Sequence, residues 1–270
     1  MQNSITNNRP PLLFILLAGF FVANALIAEF VGVKIFSLEQ TFGIEPRTIA
    51  LFGQESLAFN LTAGVLLWPV VFVMTDIINE YYGSKGVRLL SYLTAGLIIY
   101  AFVLVYLSIQ LVPADFWPQS HINPSLAAEQ KAELASKVGD YNEAFRLVFG
   151  QGLWIIVGSV IAFLVGQILD VFVFHRLKRL TGESKVWLRA TGSTLVSQLI
   201  DSFVVLFIAF YIGADWPMSL VLAICAMNYF YKFLVAVLLT PVIYFAHSAI
   251  DHFLGDDLAQ EMKLAAMAGR

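Results

Sequence analysis

Apolar residues in this chain fall into runs too long for a soluble core, and the polar breaks between them set its organisation. A helix crossing the hydrocarbon core of a bilayer needs about 20 mostly apolar residues. Six runs reach that length: 12–36, opened by Pro10-Pro11; 59–82, interrupted by Pro69; 87–112; 152–174; 191–211; and 218–245, which contains Pro241. Residues 37–57 carry Gly43, Pro46 and Gly53 and read as a loop or short hairpin. Residues 113–147 are polar, with Trp117-Pro118, Asn123-Pro124 and a charged segment at 127–137 of helix-like composition. That stretch predicts a long solvent or interfacial loop with an amphipathic helix on the membrane surface. Cations in residues 175–181, followed by Gly182, stop the fourth run, and a tight turn at 213–217 precedes the sixth. The tail from His247 is polar and amphipathic. The expected fold is an all-α integral membrane protein, one transmembrane domain over residues 1–270 with six transmembrane helices.

Composition supports this reading: of 270 residues 59% are hydrophobic and 13% charged, against about 25% charged in a soluble domain. Mean hydropathy is +0.78. Six crossings put both termini on one side, with Arg9, Lys85, Arg88, Arg176, Lys178, Arg179, Lys185, Arg189, Lys263 and Arg270. The other side has Lys34, Arg47, Lys131, Lys137 and Arg146. The positive-inside rule then predicts cytoplasmic termini and a long extracytoplasmic loop between helices three and four. Residues 1–8 lack a basic n-region, so the first run reads as a retained helix and not a cleaved signal peptide. A net charge of −3 gives no reason to expect a nucleic-acid partner. The lone Cys225 excludes a disulfide framework or zinc site and is expected to pack.

Two stretches nearly repeat one another: residues 165–174, Val-Gly-Gln-Ile-Leu-Asp-Val-Phe-Val-Phe, and residues 196–205, Val-Ser-Gln-Leu-Ile-Asp-Ser-Phe-Val-Val. Gln167 and Asp170 are three apart, as are Gln198 and Asp201, so each pair shares a helix face. Gly166 and Ser197 precede the aspartates by one turn and leave room for a close approach. Consecutive helices run antiparallel, so the copies face each other as an inverted pair, an arrangement transporters use around midplane sites. Asp170 is expected nearer the cytoplasmic face than Asp201. Further polar residues sit in the apolar runs: Asn24, Asp76, Asn228 and Lys232, with Glu29 and Glu80 nearer the ends, where they could be solvated. An aspartate or lysine at a helix centre costs roughly 2.5–3.5 kcal/mol on insertion scales. Polar contacts between membrane helices return only about 0.6 kcal/mol on average, so packing alone repays such residues poorly. Lys232, the one intramembrane cation, pairs naturally with an aspartate and leaves other carboxylates over.

Surplus carboxylate flanked by amides suits a ligand rich in N–H donors, because a carboxylate accepts two N–H bonds side by side. A purine-like edge has that character, with aromatics such as Tyr100, Trp154, Phe203 or Tyr229 available to stack. Protease, metalloprotease and phosphate-loop motifs are absent, and His121, His175, His247 and His252 are too scattered for a metal cluster. No enzyme, cofactor or metal is therefore expected. The open readings are a carrier, the capture subunit of an energised importer, and a scaffold whose polar residues only glue helices.

The same residues resemble the queuosine precursor transporters, the vitamin-uptake-type transporter family. The matching motifs are residues 24–34; Trp68-Pro69 with Thr75-Asp76 through Glu80-Tyr81-Tyr82-Gly83; residues 166–177; Trp187-Leu188-Arg189 into 192–202; and Lys232. The resemblance implies six helices in a bacterial inner membrane and uptake of 7-cyano- or 7-aminomethyl-7-deazaguanine. It also implies a bundle similar to the substrate-binding subunits of energy-coupling-factor importers. The small-molecule base and the lipid bilayer are the expected partners. The expected substrate-binding residues are Asp201, Asp170, Asp76, Gln198, Gln167, Asn24, Asn228, Lys232 and Glu80.

Overall fold

A computed structural model describes residues 8–32, 34–46, 49–150, 153–181, 186–213 and 215–267. Arg47, Gly182, Lys185 and Arg270 lie outside the described residues, as do the side chains of Trp154, Trp187 and Arg189. Helix α1, Arg9–Val31, starts with Pro10 and Pro11 in its first turn, where a missing N–H breaks no helical bond. It ends earlier than the apolar run suggests. Ile35–Ser37 is strand β1, paired antiparallel with Asn60–Thr62, so the apolar Ile35 and Phe36 belong to a ladder. Between these strands (β1 and β4) lie a one-turn helix α2, Leu38–Thr41, and a hairpin of β2, Ile49–Leu51, with β3, Gln54–Leu57. Phe52 and Gly53, both at positive φ, turn that hairpin. The bundle is α-helical as expected, and the loop or short hairpin expected at 37–57 takes the form of two small antiparallel ladders.

A short 3-10 turn at Ala63–Leu66 leads into α3, Trp68–Ile109. Pro69 lies in the first turn of α3. It opens the helix and does not interrupt it, because its fixed φ suits a helix start. Helical geometry continues through α3 except at Gly83 (φ 68°, ψ −173°). Thr75 and Ser91 lie sixteen residues apart on either side of it, which in a straight helix would be about 24 Å. Yet the Thr75 hydroxyl (2.9 Å) and the Ser91 hydroxyl (3.4 Å) both donate to Gln167 Oε1. The helix therefore doubles back at Gly83 into a descending arm, 68–82, and a returning arm, 84–109. Only glycine adopts that backbone freely, and a Cβ there would sit 3.2 Å from the Ala266 carbonyl oxygen.

The long loop carries two helices, α4, Ala128–Lys137, and α5, Tyr141–Phe149, the latter capped by Asp140. Phe149 packs on Phe30 of α1, which ties the loop to the bundle. Then follow α6, Leu153–Thr181; α7, Val186–Leu206, extended by a π-helical turn at Phe207–Ile212; α8, Met218–Leu254; and α9, Asp256–Met267. Among the described residues five stretches are long and apolar enough to cross a membrane: Arg9–Val31, Ala63–Ile109, Ile156–Thr181, Leu195–Ile212 and Met218–Leu254. The second of these, 47 residues long, contains both arms of the α3 hairpin. The α6–α7 interface is the largest; α3 packs against α1 and α6, and α8 against α7.

One end of the bundle gathers both ends of the described chain. Tyr82 donates to the Pro10 carbonyl (2.7 Å), Arg9 to the Phe253 carbonyl (3.0 Å) and Tyr81 to Asp251 (2.8 Å), while Lys263 of α9 pairs with Asp251 (2.8 Å). We refer to this as the terminal end.

Candidate functional site

The repeated decapeptides form a reciprocal seam. A Cβ on Gly166 of α6 would lie 3.5 Å from the Asp201 Cβ of α7 and 3.3 Å from the Phe72 ring. One turn away, the Ser197 hydroxyl of α7 donates to Asp170 Oδ1 of α6 at 3.1 Å. Each repeat's small residue therefore receives the other's aspartate. The spacing of the motif dictates this: with the small residue four positions before the aspartate, an antiparallel pair can satisfy both contacts in one register.

Asp201 holds Lys232 of α8 through Oδ2 at 2.8 Å, and both residues are buried. Gln198 is 1% exposed, and both its amide oxygen and its amide nitrogen lack a hydrogen-bond partner among the described residues. Ser202 Oγ and Asn228 Oδ1 are likewise buried and unpartnered. Asn228 precedes Lys232 by one turn on α8, and Gln198 precedes Asp201 by almost one on α7. Glu29, which could have been solvated at the end of α1, is instead buried and accepts the Ser159 hydroxyl of α6. It lies within electrostatic reach of Asp201. This first polar layer thus draws on α1, α6, α7 and α8.

A second layer lies about one turn closer to the terminal end. Ser193 donates to Asp76 Oδ1 at 3.0 Å, and Asp170 meets Asp76, Ser193 and Ser197. Gln167 accepts Thr75 and Ser91 through its oxygen and leaves its nitrogen without a partner. A third layer pairs Glu80 with Lys178 at 3.1 Å and brings His175 Nε2 to 3.0 Å from Asn79 Oδ1. Glu80 is therefore buried, not interfacial. Lys178, read from sequence as one of the cations closing the fourth span, is 2% exposed and sits inside the bundle.

The nine expected residues thus divide. Asp201, Lys232, Gln198 and Asn228 belong to the first layer, Asp170, Asp76 and Gln167 to the second, and Glu80 to the third. Asn24 is buried, but its amide donates to the Phe20 carbonyl of its own helix at 2.8 Å, and no contact ties it to a layer. Ser159, Ser193 and Lys178 went unnoticed in the sequence. The signal was there: Ser159, Gln167, Asp170 and Lys178 fall on one helical stripe of α6, and Arg176 and Arg179 fall off it. The layers offer carboxylate acceptors, unpartnered amides and two paired cations, Lys232 and Lys178, in the bundle interior, groups suited to the hydrogen-bonding edge of a small polar molecule. Among the described residues no cluster could hold a metal ion.

The profile of a family described as "Putative vitamin uptake transporter" matches residues 62–246, a span containing every expected site residue except Asn24. Three relatives align over most of the chain. A "Probable queuosine precursor transporter" of Bacillus subtilis (strain 168) is 28% identical over 207 residues, 76% of this chain and 78% of its own length. One of the same name from Haemophilus influenzae is 27% identical over 175 residues, covering 64% of this chain and 62% of that one. The "Queuosine precursor transporter" of Escherichia coli (strain K12) is 26% identical over 186 residues, 67% and 70% of the two chains. No solved structure gives a significant match.

Proposed function

The chain belongs to the vitamin uptake transporter family, and from that premise we propose that it imports queuosine precursors, 7-cyano- or 7-aminomethyl-7-deazaguanine. It is a multi-pass membrane transporter and not an enzyme. In the proposed reading residues 1–270 form one domain in a bacterial inner membrane. The two arms of α3 each cross the bilayer, giving six crossings, and the terminal end faces the cytoplasm. The observation that carries the site is the fully buried, unpartnered amide of Gln198 beside the Asp201–Lys232 pair. A buried amide with no partner costs about 1–3 kcal/mol, a cost that a bound ligand relieves. Asp201 keeps Oδ1 clear of the ion pair, so it can accept the ring N–H and amino donors of a guanine-type edge. Gln198 and Asn228 meet its carbonyl and ring nitrogen. Asp170, Asp76 and Gln167 form the next station on the path, with Glu80 at its flank; Asn24, bonded to its own helix, stands outside these layers.

Uptake of labelled deazaguanine into cells that cannot make the precursor tests the reading. Wild type restores accumulation and Asp201→Asn abolishes it while still reaching the membrane. Accumulation at the wild-type rate with Asp201→Asn would remove the proposed site.

A further inference from the structure

Near the terminal end a groove of about 590 Å³ opens between the returning arm of α3 and α6, with Ala266 and Met267 of α9 along one side. Its mouth carries Arg88 from α3 and Arg176 and Arg179 from α6, with His175 among them. Arg88 and Arg179 both lie close enough to His175 to act on it electrostatically. All three arginines are exposed, and among the described residues none has a carboxylate partner or a hydrogen bond. The nearby Glu80 is engaged by Lys178. Among the described residues no carboxylate lines the groove. Guanidinium groups gathered this way repel one another until an anion stands between them, and they bind phosphate oxygens bidentately.

Deeper in, the groove reaches Ser84, Ser91 and Gln167, and its outer wall is mostly apolar. Tyr92, Ile168 and Phe172 line it and are exposed on helices long enough to cross a bilayer, so the trough continues into the lipid-facing surface. A free anion has no use for an apolar wall, and a cationic aminomethyl group would be repelled by the three arginines at the mouth. Arginines placed merely to hold the helix end at headgroup level need charge there, but not convergence on one cavity from two helices. We propose that this groove binds an anionic phospholipid, its phosphate held by Arg88, Arg176 and Arg179 and an acyl chain lying along Ile168 and Phe172. Basic pockets between membrane helices bind anionic headgroups by this same chemistry.

The full chain in nanodiscs of phosphatidylcholine, with or without phosphatidylglycerol, tests this by native mass spectrometry and thermal melting. Wild type retains a phosphatidylglycerol molecule and melts higher when that lipid is present. Arg88→Gln, Arg176→Gln and Arg179→Gln each weaken retention about fivefold. The triple variant loses the preference yet melts like wild type in phosphatidylcholine alone. Equal retention of phosphatidylcholine, protection by inorganic phosphate without the anionic lipid, or an undiminished preference in the triple variant would each overturn the proposal. Lipid retention is read without any transport assay, so the result stands apart from the transported substrate.

Discussion

Gln198 buries an amide that bonds nothing among the described residues, whereas its neighbour Ser197 bonds Asp170 at 3.1 Å. The two should respond to mutation in opposite ways. Gln198→Leu removes no hydrogen bond and relieves an uncompensated amide, so its melting temperature stays level or rises, while the apparent KM for the base climbs about tenfold or more, the worth of one to two polar contacts. Ser197→Ala lowers stability by about 1–3 kcal/mol because it leaves Asp170 short of a donor. A Gln198→Leu protein that melts lower but transports with unchanged KM would make the residue helix glue. At this scale much of the layer composition was legible. An aspartate, an amide or a lysine inside an apolar run is conspicuous, and the lysine found the aspartate expected of it. Taken one at a time serines are inconspicuous, since a hydroxyl in an apolar helix usually bonds back to its own backbone, as Ser91 also does to Val87; only the shared stripe of α6 marks Ser159.

Elements show where sequence patterns run out. A run of cations at a helix end reads as solvated, yet Lys178 turns inward to Glu80 while Arg176 and Arg179 stay outside. Helical phase separates them, and phase is visible only once the interior stripe is known. Lys178→Met leaves Glu80 as a buried charge and costs about 3–5 kcal/mol; thermal unfolding in detergent should show most of that recovered in the Lys178→Met, Glu80→Gln double variant. A double variant no more stable than the single would mean that the loss does not come from leaving the Glu80 carboxylate unpaired. Gly83 is the second case. The end of one apolar run and the start of the next bracket it correctly, but composition cannot tell that a single residue turns the chain. Gly83→Ala forces a side chain into a glycine-only conformation against Ala266 and costs about 1–3 kcal/mol. The hairpins at 35–62 were half legible: glycines marked the turns, but strands of three or four residues are too short for alternation to declare itself.

Across the whole molecule, the pairing of Arg9 with α8 and of α9 with Asp251 places both ends of the described residues together. The proposed orientation has that end in the cytoplasm and the α4–α5 loop outside. The native Cys225 is buried, so introduced cysteines report cleanly. Ala132→Cys on α4 is labelled by an impermeant maleimide on intact spheroplasts, and Gln260→Cys on α9 only after permeabilisation. The opposite pattern would invert the topology.

The α6–α7 seam limits how such a molecule can move. Slide α7 by one turn in one direction and Asp170 confronts Asp201, two carboxyl groups face to face. Slide it the other way and Gly166 confronts Ser197, leaving a gap at each aspartate's former seat. Either slide breaks both reciprocal contacts at once, which favours the two helices moving together as one lever. The play lies at its edges, where Thr75 hooks Gln167 on one side and Lys232 clasps Asp201 on the other. A carrier built this way works like a hinged shutter and not a sliding bolt: a half-cycle undoes a latch at one edge while the spine stays closed.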